Sequence, residues 1–203
     1  MITAARFRLL EQLLRNRGYG PTIDWSEQIE PPVDADEFAA RIIYVICNSG
    51  MRVTIAAPIA ENCLVVLRDG GSAQDAFGHE GKATAIDTIW AARGDLFDEY
   101  RASRAKVDFL AALPWIGPVT KLHVAKNLGA NAAKPDVHLV RLANRESTTP
   151  ATLCRRLARL TGYKIATVDS ILWRACADGI LNSRKYEVGG WSAGFVGSKA
   201  TDT

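Results

Sequence analysis

Apolar residues recur at spacings of three and four along nearly the whole chain, and most of the segments that carry them end on glycine. At about 3.6 residues per turn, that spacing lays one apolar stripe along a helix. "AARFRLLEQLLRNRG" stops at Gly18, "DADEFAARIIYVICNSG" at Gly50 and "HEGKATAIDTIWAARGDL" near Gly94. "GPVTKLHVAKNLG" stops at Gly129, "TPATLCRRLARLTG" at Gly162 and "KIATVDSILWRACADG" at Gly179. Glycine suits these stops because it enters the left-handed conformation without a Cβ clash. Helix starts are legible too. Asp34, Asp36 and Glu37 precede a stripe of Phe38, Ile42, Val45 and Ile46, and Pro118 fits a first helical turn. "VTIAAPIAENCLVVLRDGG" reads as a helix with a boundary or kink at Pro58. Within it "ENCLVVL" has strand propensity, which its helical setting overrides. "AKVDFLAALPW" is a short helix halted before Pro114. The expectation is an all-α fold.

The 203 residues suffice for one domain with a real core or for two lobes. Hydrophobic residues at 48% and charged ones at 23% give a globular composition rather than a disordered one. No apolar run reaches the roughly 18 residues of a membrane span. The opening helix pattern carries scattered Arg and lacks a secretory core, so a cytoplasmic protein with no membrane partner is expected. A net charge of +3 tolerates a polyanionic partner without demanding one. Cys47, Cys63, Cys154 and Cys176 follow neither zinc nor iron–sulfur spacing and sit in apolar stretches, as buried free thiols do. "IEPPVDADE" (29–37) is the best break near the N-terminus. The tail "EVGGWSAGFVGSKATDT" (187–203) reads as loosely ordered, with Trp191 and Phe195 as anchors. His123 and His138 are assigned no chemistry. Arg155, Arg156 and Arg159 read as a solvated helix face, with an extension of a DNA-binding face as the other option.

One stretch carries more chemistry than the rest. In "LPWIGPVTKLHVAKNLG" (113–129) two short helices meet at Leu-Pro-x-Ile-Gly, a compact helix–hairpin–helix. The hairpin and the start of the second helix leave backbone N–H groups unpaired beside the positive end of the helix dipole, a seat for phosphate. Gly117 lets a phosphate approach the backbone, and Pro118 occupies a position that needs no donor. Such a seat binds DNA without reading its sequence. Taken alone, the same residues also suit an ordinary interhelical turn.

Extended to "LPWIGPVTKLHVAKNLGANAAKPDVHLVRLA", the stretch resembles the helix–hairpin–helix, Gly/Pro-rich loop and Asp signature of the HhH-GPD DNA glycosylase superfamily, which includes endonuclease III, AlkA and 8-oxoguanine glycosylase. Upstream, "FAARIIYVICNSGMR" is similar to the helix and polar turn that open the family's domain, and "GHEGKATAI" resembles its Lys-Ala helix start. The resemblance covers roughly residues 36–145 and implies a two-lobed helical fold. Residues 34–133 would form the lobe with the hairpin. Residues 1–33 and 134–203 would form a second lobe packed against it, with Asp136 at the cleft.

The activity it implies is excision of a damaged, modified or mispaired base from double-stranded DNA, the first step of base excision repair. Asp136 stands where the family holds its catalytic carboxylate; a helix N-cap is the structural reading of the same residue. The position of the family's Schiff-base lysine is Val119, followed by a matching Thr120, so the implied enzyme is monofunctional. Lys121 falls one step further on. It suits a phosphate contact or surface packing, with a glycosylase/AP lyase that uses it as nucleophile as the alternative. A non-catalytic DNA-binding module is the alternative from another class.

Trp115 replaces the family's first hairpin glycine. A Trp resists φ > 0, so a shifted hairpin is expected there. Trp115, Gly117, Val119, Thr120 and Lys121 would contact DNA. Asn48, Ser49 and Gly50 match the turn that fills the gap left by an extruded base, and also suit a plain helix-ending turn. Trp25, Tyr44 and Trp173 are candidates for stacking on the base. The family's hairpins hold a monovalent cation on backbone carbonyls, here those of Ala111, Leu113 and Ile116. With no four-cysteine cluster, no iron–sulfur cofactor is expected. A monomer is expected.

Overall fold

The structure, a computed structural model, describes residues 1–197; the end of the tail, 198–203, lies outside the described residues. Helix α1 (Ala4–Leu14) passes through a π-helical turn (Arg15–Tyr19) into α2 (Gly20–Gln28). Then come α3 (Ala35–Asn48), α4 (Val53–Arg68), a 3-10 turn (Ala73–Asp75), α5 (Glu80–Ala91), α6 (Arg93–Ala102), α7 (Lys106–Ala111) and α8 (Thr120–Asn127). The last helices are α9 (Val137–Arg145), α10 (Pro150–Thr161), α11 (Ile165–Ala177), α12 (Ser183–Gly189) and α13 (Trp191–Gly194). The only β feature among the described residues is an isolated antiparallel bridge between Leu181 and Phe195. The protein is all-α.

Two compact units divide it: Glu30–Ala130, and Met1–Ile29 with Asn131–Thr203. Both boundaries fall a few residues before the expected ones at 34 and 133. The first lies at Glu30-Pro31-Pro32, where two residues without an N–H cannot continue a helix. Within the Glu30–Ala130 unit its two ends meet. Gly129 (φ +87) approaches so closely that a Cβ there would lie 2.9 Å from the Pro31 nitrogen. The Arg41 guanidinium donates to the carbonyls of Glu30 (2.6 Å) and Asn127 (2.9 Å).

The core of this unit is built on α3, whose Phe38, Ile42, Ile43 and Ile46 are fully buried. Phe38 packs its ring on Phe97 of α6 and on Tyr100. α4, α5 and α8 close the rest with Ala56, Cys63, Ile86, Ile89, Val124 and Leu128. Each buried isoleucine, leucine or valine among them contributes about 1.5–3 kcal/mol by leaving water. In the other unit α11 is the central helix, with Val168, Ile171, Leu172 and Ala175 against Phe7, Leu10 and Leu14 of α1, Leu139 and Leu142 of α9, and Leu153 and Leu157 of α10. Glu146, its side chain 4% exposed, ties that unit together by pairing with Arg156 and accepting from the Ile2 N–H and the Tyr186 hydroxyl.

Several expectations need correction. Gly18 stops its helix as expected, at φ +86, but the chain turns there and resumes at once as α2. Pro58 lies inside an unbroken α4, on its exposed side, where water serves the carbonyl that loses its N–H partner. Gly94 does not stop a helix: α5 ends at Ala91, and Gly94 falls in the first turn of α6. Pro118 lies in the hairpin turn, two residues before α8 begins. The tail up to Gly197 is ordered: Asn182 caps α12, and the Trp191 and Phe195 rings stack at the two ends of α13 (4.7 Å). All four cysteines are buried, and none is in a disulfide. No helix among the described residues is long and apolar enough to cross a membrane.

Candidate functional site

Leu113 and Ile116 anchor the turn between α7 and α8 in the core, and the Ile116 N–H closes it on the Leu113 carbonyl (3.1 Å). Trp115, between them, stands at φ +65. The expected shift of the hairpin away from φ > 0 is therefore overturned. The indole ring holds the residue there: it lies over Gly81, where a Cβ would come within 2.8 Å of it, and meets the His79 ring edge-on at 5.2 Å.

Beyond the turn, the Lys121 N–H donates to the Gly117 carbonyl (2.9 Å) and the Leu122 N–H to Val119 (3.2 Å). The N–H groups of Gly117, Val119 and Thr120 make no hydrogen bond among the described residues, and no side chain caps α8. Pro118 and Val119 are exposed and Gly117 and Thr120 half-buried, so the unpaired donors lie near the surface at the positive end of the helix.

Lys121 reaches back across the hairpin to α7, its Nζ 3.4 Å from Asp108 Oδ1. Asp108 is largely solvent-exposed, so the pair is screened and weak. This lysine is half-buried, its ammonium directed at an exposed carboxylate. Of the carbonyls expected to bind a cation, Ala111 ends α7, and those of Leu113 and Ile116 lie in the turn, where Leu113 already accepts the Ile116 N–H.

The 48–50 turn ends α3. Ser49 donates its hydroxyl to the Ile46 carbonyl (2.9 Å), and Gly50 takes φ +73. Beneath it lies Lys82 of α5, only 4% exposed, its ammonium donating to the carbonyls of Ser49 (2.6 Å) and Cys47 (3.3 Å). Burial pushes this amine below its ordinary range.

Asp136 belongs to the other unit. One of its oxygens, Oδ1, caps α9 by accepting from the N–H groups of His138 (2.9 Å) and Leu139 (3.0 Å); Oδ2 takes no part in the cap. The loop before it is pinned on α11. Asn131 Oδ1 accepts the Ala166 N–H (3.2 Å), and Asp169 Oδ2, on a residue 1% exposed, accepts the Lys134 N–H (3.2 Å). Burial, with the nearby Asp136 charge, pushes the Cys176 thiol up to about 12. That thiol stays protonated at neutral pH and is no nucleophile. His138 pairs its Nδ1 with the Ser183 hydroxyl (2.9 Å).

The three stacking candidates fall in different units. Tyr44 lies on α3 in the Glu30–Ala130 unit, whereas Trp25 and Trp173 lie in the other. Trp25 is exposed; Trp173 is partly buried beneath the Arg174 guanidinium (4.6 Å from the ring). Arg156 is spent on Glu146 and the Ile2 carbonyl, leaving Arg155 and Arg159 exposed on α10. Among the described residues no cluster of His, Cys, Asp and Glu suits a metal ion.

Lys82 and Asp169 were missed from the sequence, although a signal existed. Each is a charged residue on an apolar stripe: Lys82 with Ile86 and Ile89, Asp169 with Leu172 and Cys176. Compared with protein-family models, with curated proteins and with solved structures, the chain matches none.

Proposed function

We propose that this chain is a monofunctional DNA glycosylase of the helix–hairpin–helix type, which removes a damaged, modified or mispaired base by hydrolysing its N-glycosidic bond. The observation that carries the reading is the set of unpaired N–H groups at Gly117, Val119 and Thr120, near the surface. They form a seat for a DNA phosphate at the start of α8. Lys121, half-buried beside them and weakly held by the exposed Asp108, is placed to add a phosphate contact.

Asp136 supplies the chemistry. As the base leaves, positive charge builds on the deoxyribose; a carboxylate fixed by two backbone N–H groups stabilises that charge without reorganising. Water adds to the sugar carbon, its proton is lost, and the base departs with the bond's electron pair. Val119 in place of a lysine, together with the pairing of Lys121 with an exposed carboxylate, supports hydrolysis rather than lyase chemistry.

The test is a panel of duplexes with one labelled lesion each, incubated with the wild type and with Asp136→Asn. Asn is as good an N-cap as Asp, so the variant removes charge and keeps α9. The expected result is strand breakage only after hot alkali for one class of lesion, abolished in the variant while DNA binding persists. Breakage without alkali, with a borohydride-trapped adduct that Lys121→Gln removes, would assign a lyase instead. Binding with no base release would leave a DNA-binding module.

A further inference from the structure

Lys82 is the most heavily buried charge of its unit, and it forms no ion pair among the described residues. A buried ammonium without a carboxylate is expensive, and a residue of this kind persists where its geometry is needed. Its partners are main-chain carbonyls, those of Cys47 and Ser49, with the Phe77 ring 5.7 Å away. These carbonyls are the unsatisfied, negative end of α3.

Ending α3 does not require this lysine. The Ser49 N–H already returns to Val45 (3.0 Å), the Met51 N–H closes on Asn48 (3.2 Å), and Gly50 supplies the left-handed residue. Lys82 therefore over-determines a turn whose tip, Gly50, is exposed. The residue before it, Gly81, seats the Trp115 ring of the hairpin. Adjacent residues at the start of α5 thus fix both the 48–50 turn and the phosphate seat.

We propose that Lys82 is a positioning residue: it holds the 48–50 turn rigid, at a set distance from the hairpin, as the finger that fills the gap left by an extruded base. The proposal rests on the glycosylase reading. A mobile turn would lose part of the binding gained from filling the gap in the entropy of ordering itself; a pinned one does not.

The test compares binding to an intact duplex with binding to the same duplex carrying one tetrahydrofuran abasic analogue, for wild type and Lys82→Met. Met has a similarly long, unbranched side chain and removes the buried charge. A neighbouring 2-aminopurine reports filling of the gap. Expected is a wild-type preference for the abasic duplex that falls about tenfold in the variant, with the 2-aminopurine response lost and intact-duplex affinity kept within about twofold.

A folded variant that keeps the preference overturns the proposal. A wild type without the preference overturns it too, and base release measured in parallel then shows whether the glycosylase reading survives. Should Lys82→Met fail to fold, Gly50→Ala serves. A Cβ there meets nothing within 4 Å, so only the turn's backbone is disturbed. The same loss is expected, and an unchanged preference overturns the proposal.

Discussion

Trp115 occupies a conformation that crowds its own Cβ, at a cost of about 1–2 kcal/mol for an L-residue. It is 44% exposed, so roughly half of its large surface is covered. About 100 Å² of covered apolar surface contributes about 2.5 kcal/mol, enough to outweigh the strain. Gly81 is what permits the contact, since any Cβ there strikes the ring. Gly81→Ala should therefore destabilise the protein by about 1 kcal/mol, although alanine is intrinsically the better helix former. In a Trp115→Gly background the sign should reverse, because the obstacle is gone. Urea midpoints of the four proteins check this, and the same sign in both backgrounds would show that the ring does not seat on Gly81.

At the scale of elements, the passage from α1 to α2 shows how one glycine redirects a helical run. Gly18 stands at φ +86 with open space around its Cα, so Gly18→Ala meets no clash and pays in backbone strain, about 1 kcal/mol. Gly20 has helical φ (−49), and its Cβ would touch only the end of the Arg15 side chain at 3.6 Å. Gly20→Ala should be close to neutral, because the gain in helix propensity is offset by the crowding of a new Cβ against the ring of Pro21. Thermal melts should show a clear drop for Gly18→Ala and little change for Gly20→Ala. The same local logic makes Asp136 legible as a cap, because an acid just before "VHLVRLA" satisfies the free N–H groups of the first turn whatever its chemistry.

At the scale of the molecule, stability should fall on the acid side. Burial pushes the Glu11 carboxyl up, but hydrogen bonds from Tyr163, Arg8 and Arg15 outweigh it and hold the group below its ordinary value of 4.5. Asp178 is likewise pushed up by burial and held lower by Arg17 and Tyr19. The Val33 N–H and Arg41 lower Glu37. In each case the unfolded chain binds the proton more readily, so the stabilisation is present above about pH 4.5 and is lost as pH falls through the folded-state values. The melting temperature should stay level from pH 7 to about 5 and drop below that, with a shallower drop in Glu11→Gln. A level profile down to pH 3 would contradict these shifts.

The sequence by itself determined the helical fold class, the cysteine state, the break at 29–37 and the hairpin with its helix, because each depends on interactions within a few residues: periodicity, caps, glycine stops and Pro-Gly turns. It left open what neighbours distant in the chain decide. The α3 carbonyls became partners of Lys82 across more than thirty positions, and Asp169 met the loop before Asp136 at a similar separation. The left-handed Trp115 runs against local preference altogether, and only a ring seat on a glycine of another helix stabilises it. Local pattern fixes which helices form. Where a costly buried charge or a strained residue is tolerated depends on what the folded chain brings beside it, and that only the tertiary structure decides.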